Sequence, residues 1–141
     1  MHDMLDLHTR IATSFARQGL MATLGARLVS VADGEVHIEL PCSPAVSQQR
    51  GYVHAGAVTS VLDSACGYAA LTQAPPQCDV VTAEFKINLL RPAVGDRLLA
   101  IGRVQNAGRT LTVCTGEVRA ITGNDSKVVA LMQATIVNLP A

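Results

Sequence analysis

The sequence predicts an α+β fold in which one long apolar helix is served by a large antiparallel sheet, and three observations carry that expectation. From Gly56 onward, Val58, Val61, Leu62, Ala65 and Ala69 recur at spacings of three and four, the period of a helix. Beyond Pro75-Pro76 nearly every stretch alternates apolar and polar residues, the period of a strand. The resulting order, β-β-α-β-β-β-β behind a leading helix, calls for an antiparallel sheet with its helix to one side.

The totals agree with one such domain spanning 1–141. A chain of 141 residues holds one real core but not two. Charged residues are 16% of the chain and apolar ones 49%, which argues against disorder. Eleven basic and eleven acidic residues leave a formal charge of zero, so nothing electrostatic invites nucleic acid or a membrane surface. Two Phe, two Tyr and no Trp make a base-stacking platform equally unexpected. Residues 1–10 mix acids and histidines without a long apolar core, so no signal peptide is read there. No apolar run reaches the roughly 20 residues of a membrane span. Cys42, Cys66, Cys78 and Cys114 are scattered; they read as reduced, mostly buried thiols of a cytoplasmic protein, with no seed for a metal site.

Taken in order, residues 3–20 space Leu5, Ile11, Phe15 and Leu20 among charged neighbours, with Gly19 near the end, and predict a short amphipathic helix ahead of the 21–141 core. Residues 23–31 and 35–40 are β-rich runs joined through Asp33-Gly34, a hairpin signal. Residues 41–52, with two prolines and a Gln48-Gln49-Arg50-Gly51 close, form a long loop of the kind that often carries function. The helix starting at Gly56 should run about four turns and stop before Pro75-Pro76. It is apolar nearly all round and so should be buried, while Gly56, Ala65, Gly67 and Ala70 allow close approach of another backbone. Strands are expected over 80–90, 97–105, 110–122 and 127–139, with turns at Arg91 to Asp96, Asn106 to Gly108 and Gly123 to Asp125. In the first of these strands, simple alternation puts Val81, Ala83, Phe85, Ile87 and Leu89 on one face, opposite Thr82, Glu84, Lys86 and Asn88.

Asp63 is the residue that gives the helix a chemical aspect. An Asp in a helix is most often solvated, but this one lies among Val61, Leu62, Ala65 and Cys66, with no Lys or Arg within a turn. A buried carboxylate needs a partner, and carboxylates in such settings cluster at active sites; a structural and a functional role stand about equal on this ground alone. At the start of the same helix, Ala55 and Gly56 sit where backbone N–H groups are unpaired and the helix dipole is positive. Such an end can hold an anion or a developing oxyanion, although an ordinary helix start explains the residues as well.

A distance then constrains any site that uses both. Ala55 and Asp63 are eight residues apart, about 12 Å along one axis at 1.5 Å per residue. Reacting groups must converge to within about 3.5 Å. Two such helices, antiparallel across a two-fold axis, would set each Asp63 against the partner's Ala55-Gly56. If the site is real, it is shared between the subunits of a dimer.

Two segments, G-Y-V-H-A-G-A-V-T-S-V-L-D-S-A-C-G-Y-A-A over 51–70 and V-V-T-A-E-F-K-I-N-L-L-R-P-A-V-G-D over 80–96, resemble the hotdog-fold acyl-CoA thioesterases. The branch is the phenylacetate-degradation type, with relatives acting on 4-hydroxybenzoyl-CoA and fatty acyl-CoA, and the resemblance covers about residues 20–139. It implies a long helix wrapped by an antiparallel sheet, active sites at a dimer interface, and a homodimer at the least, with a dimer of dimers as its larger form. It also implies hydrolysis of an aryl or short- to medium-chain acyl-CoA without cofactor or metal. By position, Asp63 matches the catalytic carboxylate, as general base or nucleophile, and the Ala55 N–H the group that polarises the thioester carbonyl. Gln48 matches an Asn or Gln that places substrate or water, Thr82 a Ser or Thr near the carboxylate, and His54 a motif residue orienting the loop beside the substrate. Arg91 and Arg109, in loops flanking strands, are candidates for the phosphates of coenzyme A. The usual His-Gly-Gly is here His54-Ala55-Gly56, which costs little if Ala55 takes a negative φ. His2, His8 and His37 have no companions and receive no role. Two other activities fit the same residues: a hotdog hydratase or dehydratase pairing His54 with Asp63, and a non-catalytic acyl-CoA binding module.

Overall fold

A computed structural model describes residues 4–140, so His2 lies outside the described residues. The first helix, α1 (Met4–Phe15), buries Leu7 and Ile11. It ends earlier than expected: a separate short helix, α2 (Gly19–Leu24), follows and buries Met21. The strand expected from residue 23 therefore begins only at Arg27, as β1 (Arg27–Ala32). The cause is Gly25, whose left-handed φ of 76° closes α2 with its N–H on the carbonyls of Met21 and Ala22, a shape cheap only for glycine. β2 (Glu35–Pro41) pairs with β1 through the two-residue turn Asp33-Gly34, with Gly34 at φ 81°, as Asp-Gly foretold.

The central helix, α3 (Ala55–Thr72), runs 18 residues, one turn longer than expected. Val61, Leu62, Ala65, Cys66 and Ala69 are fully buried. Its last turn is closed by Thr72, whose hydroxyl donates to the Ala69 carbonyl at 2.6 Å and accepts from the Gly34 N–H at 2.8 Å. Beyond that end, the Arg10 guanidinium of α1 donates to the carbonyls of Leu71, Ala74, Pro75 and Cys78, satisfying groups a helix terminus leaves open.

Four more strands complete the sheet: β3 (Asp79–Leu89), β4 (Arg97–Ala107), β5 (Leu111–Thr122) and β6 (Asp125–Leu139). Their order, β1-β2-β4-β5-β6-β3, is antiparallel throughout and leaves β1 and β3 as edges. Two turns differ from expectation. A register shift between Val104 and Asn106 carries β4 on to Ala107 and moves its turn to residues 108–110. The next hairpin tightens to Gly123-Asn124, since Asp125 already pairs with Thr122.

The sheet curls round α3 because two facing glycines let it. Gly102 and Gly116 are cross-strand partners. A Cβ on Gly102 would come within 2.4 Å of the Ala65 backbone, and one on Gly116 within 2.7 Å of Leu62. This is the hotdog architecture implied by the resemblance.

One local irregularity decides the site. The register of β3 on β6 shifts between Thr82 and Glu84, a bulge that exchanges the faces of the strand partway along. Thr82 stands opposite the buried Ile136, while Phe85 and Ile87 stand opposite the buried Ala134 and Met132. Simple alternation therefore fails here. Val80 and Thr82 face inward ahead of the bulge, and Phe85, Ile87 and Leu89 do so after it.

Candidate active site

The loop before α3 is folded on itself. Pro44–Val46 is a turn of 3-10 helix, and Ser47 and Val53 form an isolated antiparallel bridge. Between them Gln48 closes a tight turn, with its side-chain oxygen accepting from the N–H groups of Arg50 at 2.5 Å and Tyr52 at 3.3 Å. Backbone N–H groups can bond only the oxygen of an amide, so the orientation of Gln48 is settled. Its NH2 group is the end left over, and Gln48 lines a cavity of about 420 Å³ with His54, Ala55, Val58, Leu89 and Arg91.

His54 is the N-cap of α3. Its Nδ1 accepts the Gly56 N–H at 2.8 Å, while its carbonyl takes the N–H groups of Ala57 and Val58. The proton of the neutral ring therefore sits on Nε2. The cap also sharpens what the helix end can offer. Gly56, expected to share in polarising a substrate, has its N–H engaged; its missing Cβ makes room for the His54 ring, which would stand 3.1 Å away. The Ala55 N–H has no acceptor among the described residues and is exposed beside the cavity. No non-glycine residue described has a positive φ, so Ala55 carries its methyl group without strain.

Asp63 lies two turns further along, half-buried. The Thr82 hydroxyl donates to its Oδ1 at 2.8 Å across the seam between α3 and β3. Its other oxygen has no donor among the described residues. Asp63 lines a second cavity of about 280 Å³, whose other lining includes Ser14, Gln18, Gly67, Tyr68 and Asp79. Sequence reasoning missed this lining. Ser14 and Gln18 come from the N-terminal segment, and only tertiary packing brings them to α3.

The structure thus gathers the predicted residues into two groups. Gln48, His54, Ala55 and Arg91 share one cavity, and Asp63 and Thr82 share the other. Arg109 joins neither: it sits in the β4–β5 turn, where its carbonyl accepts from Asn138 at 3.0 Å. The Arg91 guanidinium donates one N–H to the Val128 carbonyl at 2.9 Å, and Arg91 has further N–H groups to offer a ligand. Cys66, next along α3, is no nucleophile. Burial, with Cys114 and Asp63 nearby, pushes its thiol well above the usual range, and burial pushes Cys114 up to about 12; thiolates are the reactive form.

One side of α3 is left without cover from its own chain. Ala55 and Gly56 are exposed, and Thr59, Ser60, Asp63, Ser64 and Gly67 are half-buried, a helical stripe of small and polar residues. The neighbouring edge of β3 pairs with no strand among the described residues, and Val81, Phe85 and Leu89 along it are exposed.

Comparison with known proteins places this geometry in context. A family model described as the thioesterase superfamily matches residues 50–127, the stretch from the Gln48 turn through α3 to β6. A thioesterase family protein from Silicibacter pomeroyi has a solved structure that superposes with a TM-score of 0.93 at 43% identity, covering 96% of this chain and 99% of that one. The PaaI protein of the E. coli phenylacetic acid degradation operon shares the fold, with a TM-score of 0.86 at 21% identity over 96% of this chain and 94% of that one. A Halobacterium salinarum protein, provisionally named an esterase, is 30% identical over 77% of this chain and 73% of its own length.

Proposed function

The chain belongs to the thioesterase superfamily, and from that premise we propose that it hydrolyses acyl-CoA thioesters, as a dimer whose two active sites are each built from both subunits. The observation that carries the reading is the division of the site. The free Ala55 N–H and the Gln48 amide lie at one end of α3, and the Asp63 carboxylate lies about 12 Å away along the same helix. Both open onto the same uncovered helix stripe and unpaired strand edge. A second copy, with its α3 antiparallel to the first, would bring each Asp63 to the other subunit's Ala55. An unpaired apolar edge strand is the kind of surface a two-fold partner covers.

In such a site the thioester carbonyl oxygen takes the Ala55 N–H, aided by the positive end of the helix dipole, so that charge developing on that oxygen is stabilised. The Gln48 NH2 group donates to carbonyl or water. Asp63, oriented by Thr82, accepts a proton from water as the water oxygen bonds to the acyl carbon. The tetrahedral intermediate then collapses, the C–S bond breaks with its electrons on sulfur, and the proton passes to the departing thiolate. Arg91, which lines the first cavity, would meet coenzyme A phosphates. Four free cysteines support a reducing, cytoplasmic setting. Among the described residues no helix is long and apolar enough to cross a membrane.

The test is thiol release over aryl and aliphatic acyl-CoAs, with Asp63→Ala as control. Binding of acyl-CoA with no release from any of them would favour a non-catalytic module. Hydration of enoyl-CoA in place of hydrolysis would favour the His54–Asp63 acid–base pair, a role at odds with the Nδ1 of His54 being committed to the helix cap.

A further inference from the structure

The Thr82–Asp63 bond joins β3 to α3, and the two elements are tied to each other again at the loop that connects them. Arg10 of α1 donates from one terminal nitrogen to the carbonyls of Leu71 at 3.2 Å and Ala74 at 3.1 Å. From the other it donates to the carbonyls of Pro75 and Cys78, both at 2.8 Å. All four acceptors are backbone. Leu71 belongs to the last turn of α3 and Cys78 stands directly before β3, so one planar guanidinium spans the whole passage from helix to strand.

That passage is poorly equipped to hold itself. Pro75 and Pro76 have no N–H to donate. The loop's own bonds are short-range: the Ala74 N–H meets the Leu71 carbonyl at 3.2 Å, and the Cys78 N–H meets the Pro75 carbonyl at 3.0 Å. Neither reaches from α3 to the start of β3. The strand itself is an edge, paired by β6 alone among the described residues, and its first residue, Asp79, meets that ladder at its far end, opposite Leu139. Arg10 therefore supplies from α1 the donors that the two prolines lack.

The two ties sit at matching distances along the seam. Asp63 is eight residues back from Leu71 along α3, about 12 Å, and Thr82 is four residues on from Cys78 along β3, about 13 Å. A hydroxyl bonds a carboxylate only over separations of about 2.5–3.0 Å, so a shift of about 0.5 to 1 Å in where β3 leaves the loop weakens or breaks the bond. We propose that Arg10 is a positioning residue for hydrolysis: by fixing where β3 departs from α3, it holds the Thr82 hydroxyl on Asp63. The proposal rests on the thioesterase reading.

The experiment is a double-mutant cycle on kcat and KM, with benzoyl-CoA and hexanoyl-CoA as aryl and aliphatic substrates. Arg10→Met removes the donors and keeps an unbranched apolar stem, while Arg10→Lys keeps the charge but not the planar fork. Rates are taken well below the lowest Tm, with circular dichroism on every variant. Arg10→Met should lower kcat about five- to tenfold, bounded by the loss expected of Thr82→Val, and should leave KM within about twofold. Arg10→Lys should fall between it and the unaltered protein. In a Thr82→Val background, Arg10→Met should lower kcat by less than about twofold, because the bond it positions is already gone. Its effect on Tm should be the same in both backgrounds. A merely structural role would give the same fold loss of kcat in both backgrounds, or none in either, and each of those results would overturn the proposal. If Arg10→Met does not fold, the same cycle is read on Arg10→Lys. Failure of the unaltered protein to hydrolyse any acyl-CoA would instead remove the thioesterase reading, and the proposal with it.

Discussion

The Thr82 hydroxyl donates to Asp63 Oδ1 at 2.8 Å, joining an edge strand to the central helix at the one carboxylate on α3. Among the described residues this uncharged donor alone bonds the carboxylate, and its other oxygen is left without a donor. Thr82→Val keeps the shape of the side chain and removes the donor. It should lower kcat about tenfold, the value of one hydrogen bond to a charged group, whereas Asp63→Ala should lower it about a thousandfold or more. Thiol-release kinetics on both variants, with circular dichroism to establish folding, check the ranking; a Thr82→Val defect as deep as that of Asp63→Ala would contradict it.

The Ala55 N–H can be deleted without disturbing the helix. Proline is tolerated at the first helical position, and His54 already has the extended backbone, φ −59° and ψ 138°, that a residue before proline prefers. Ala55→Pro should therefore fold normally and lose a hundredfold or more in kcat.

If each site uses both subunits, two dead variants should rescue one another. Mixing Asp63→Ala with Ala55→Pro in equal amounts, through unfolding and refolding, makes about half the dimers mixed, each with one intact site of two. About a quarter of the unaltered activity should return. No return of activity in mixtures shown to contain mixed dimers would place the whole site within one chain.

His54 is assigned to the helix cap, and the assignment separates stability from chemistry. His54→Ala should cost about 1 kcal/mol and lower Tm by several degrees. His54→Asn, which can cap again, should recover most of the Tm and of the activity. Recovery of Tm without activity would show that the imidazole itself takes part in the reaction.

On the outer face, Glu35 bonds His37 and Arg103, and Glu117 bonds Arg119 and Arg103. Glu35 is held below the ordinary 4.5 by its hydrogen bond to His37 first, and by Arg103. In Glu117 burial opposes ionisation, but the hydrogen bonds from Arg119 and Arg103 outweigh it. Folded carboxyls held low favour the native state above 4.5 and lose that contribution as pH falls through the lowered value. Partial exposure limits the pair to about 1 kcal/mol. Glu117→Gln should thus lower Tm at neutral pH, with the gap to the unaltered protein closing below pH 4.5.

Local pattern determined a good deal about this protein. The 3.6-residue period marked α3, Asp33-Gly34 marked its hairpin, and the eight-residue separation of Ala55 and Asp63 was enough to argue that one chain holds two half-sites. Each of these depends on neighbours in sequence, where geometry per residue is nearly constant. Tertiary structure decided the rest. Whether Thr82 turns inward depends on a bulge, and a bulge is a property of how β3 registers on β6, not of β3 alone. That Ala55 rather than Gly56 offers the free N–H depends on which way the His54 ring turns. Gln18 reaches the Asp63 cavity only because α1, which precedes it, packs on α3, bringing together residues 46 apart in sequence. Periodicity carries no information about contacts of that range, so the carboxylate was legible in the sequence and the residues that surround it were not.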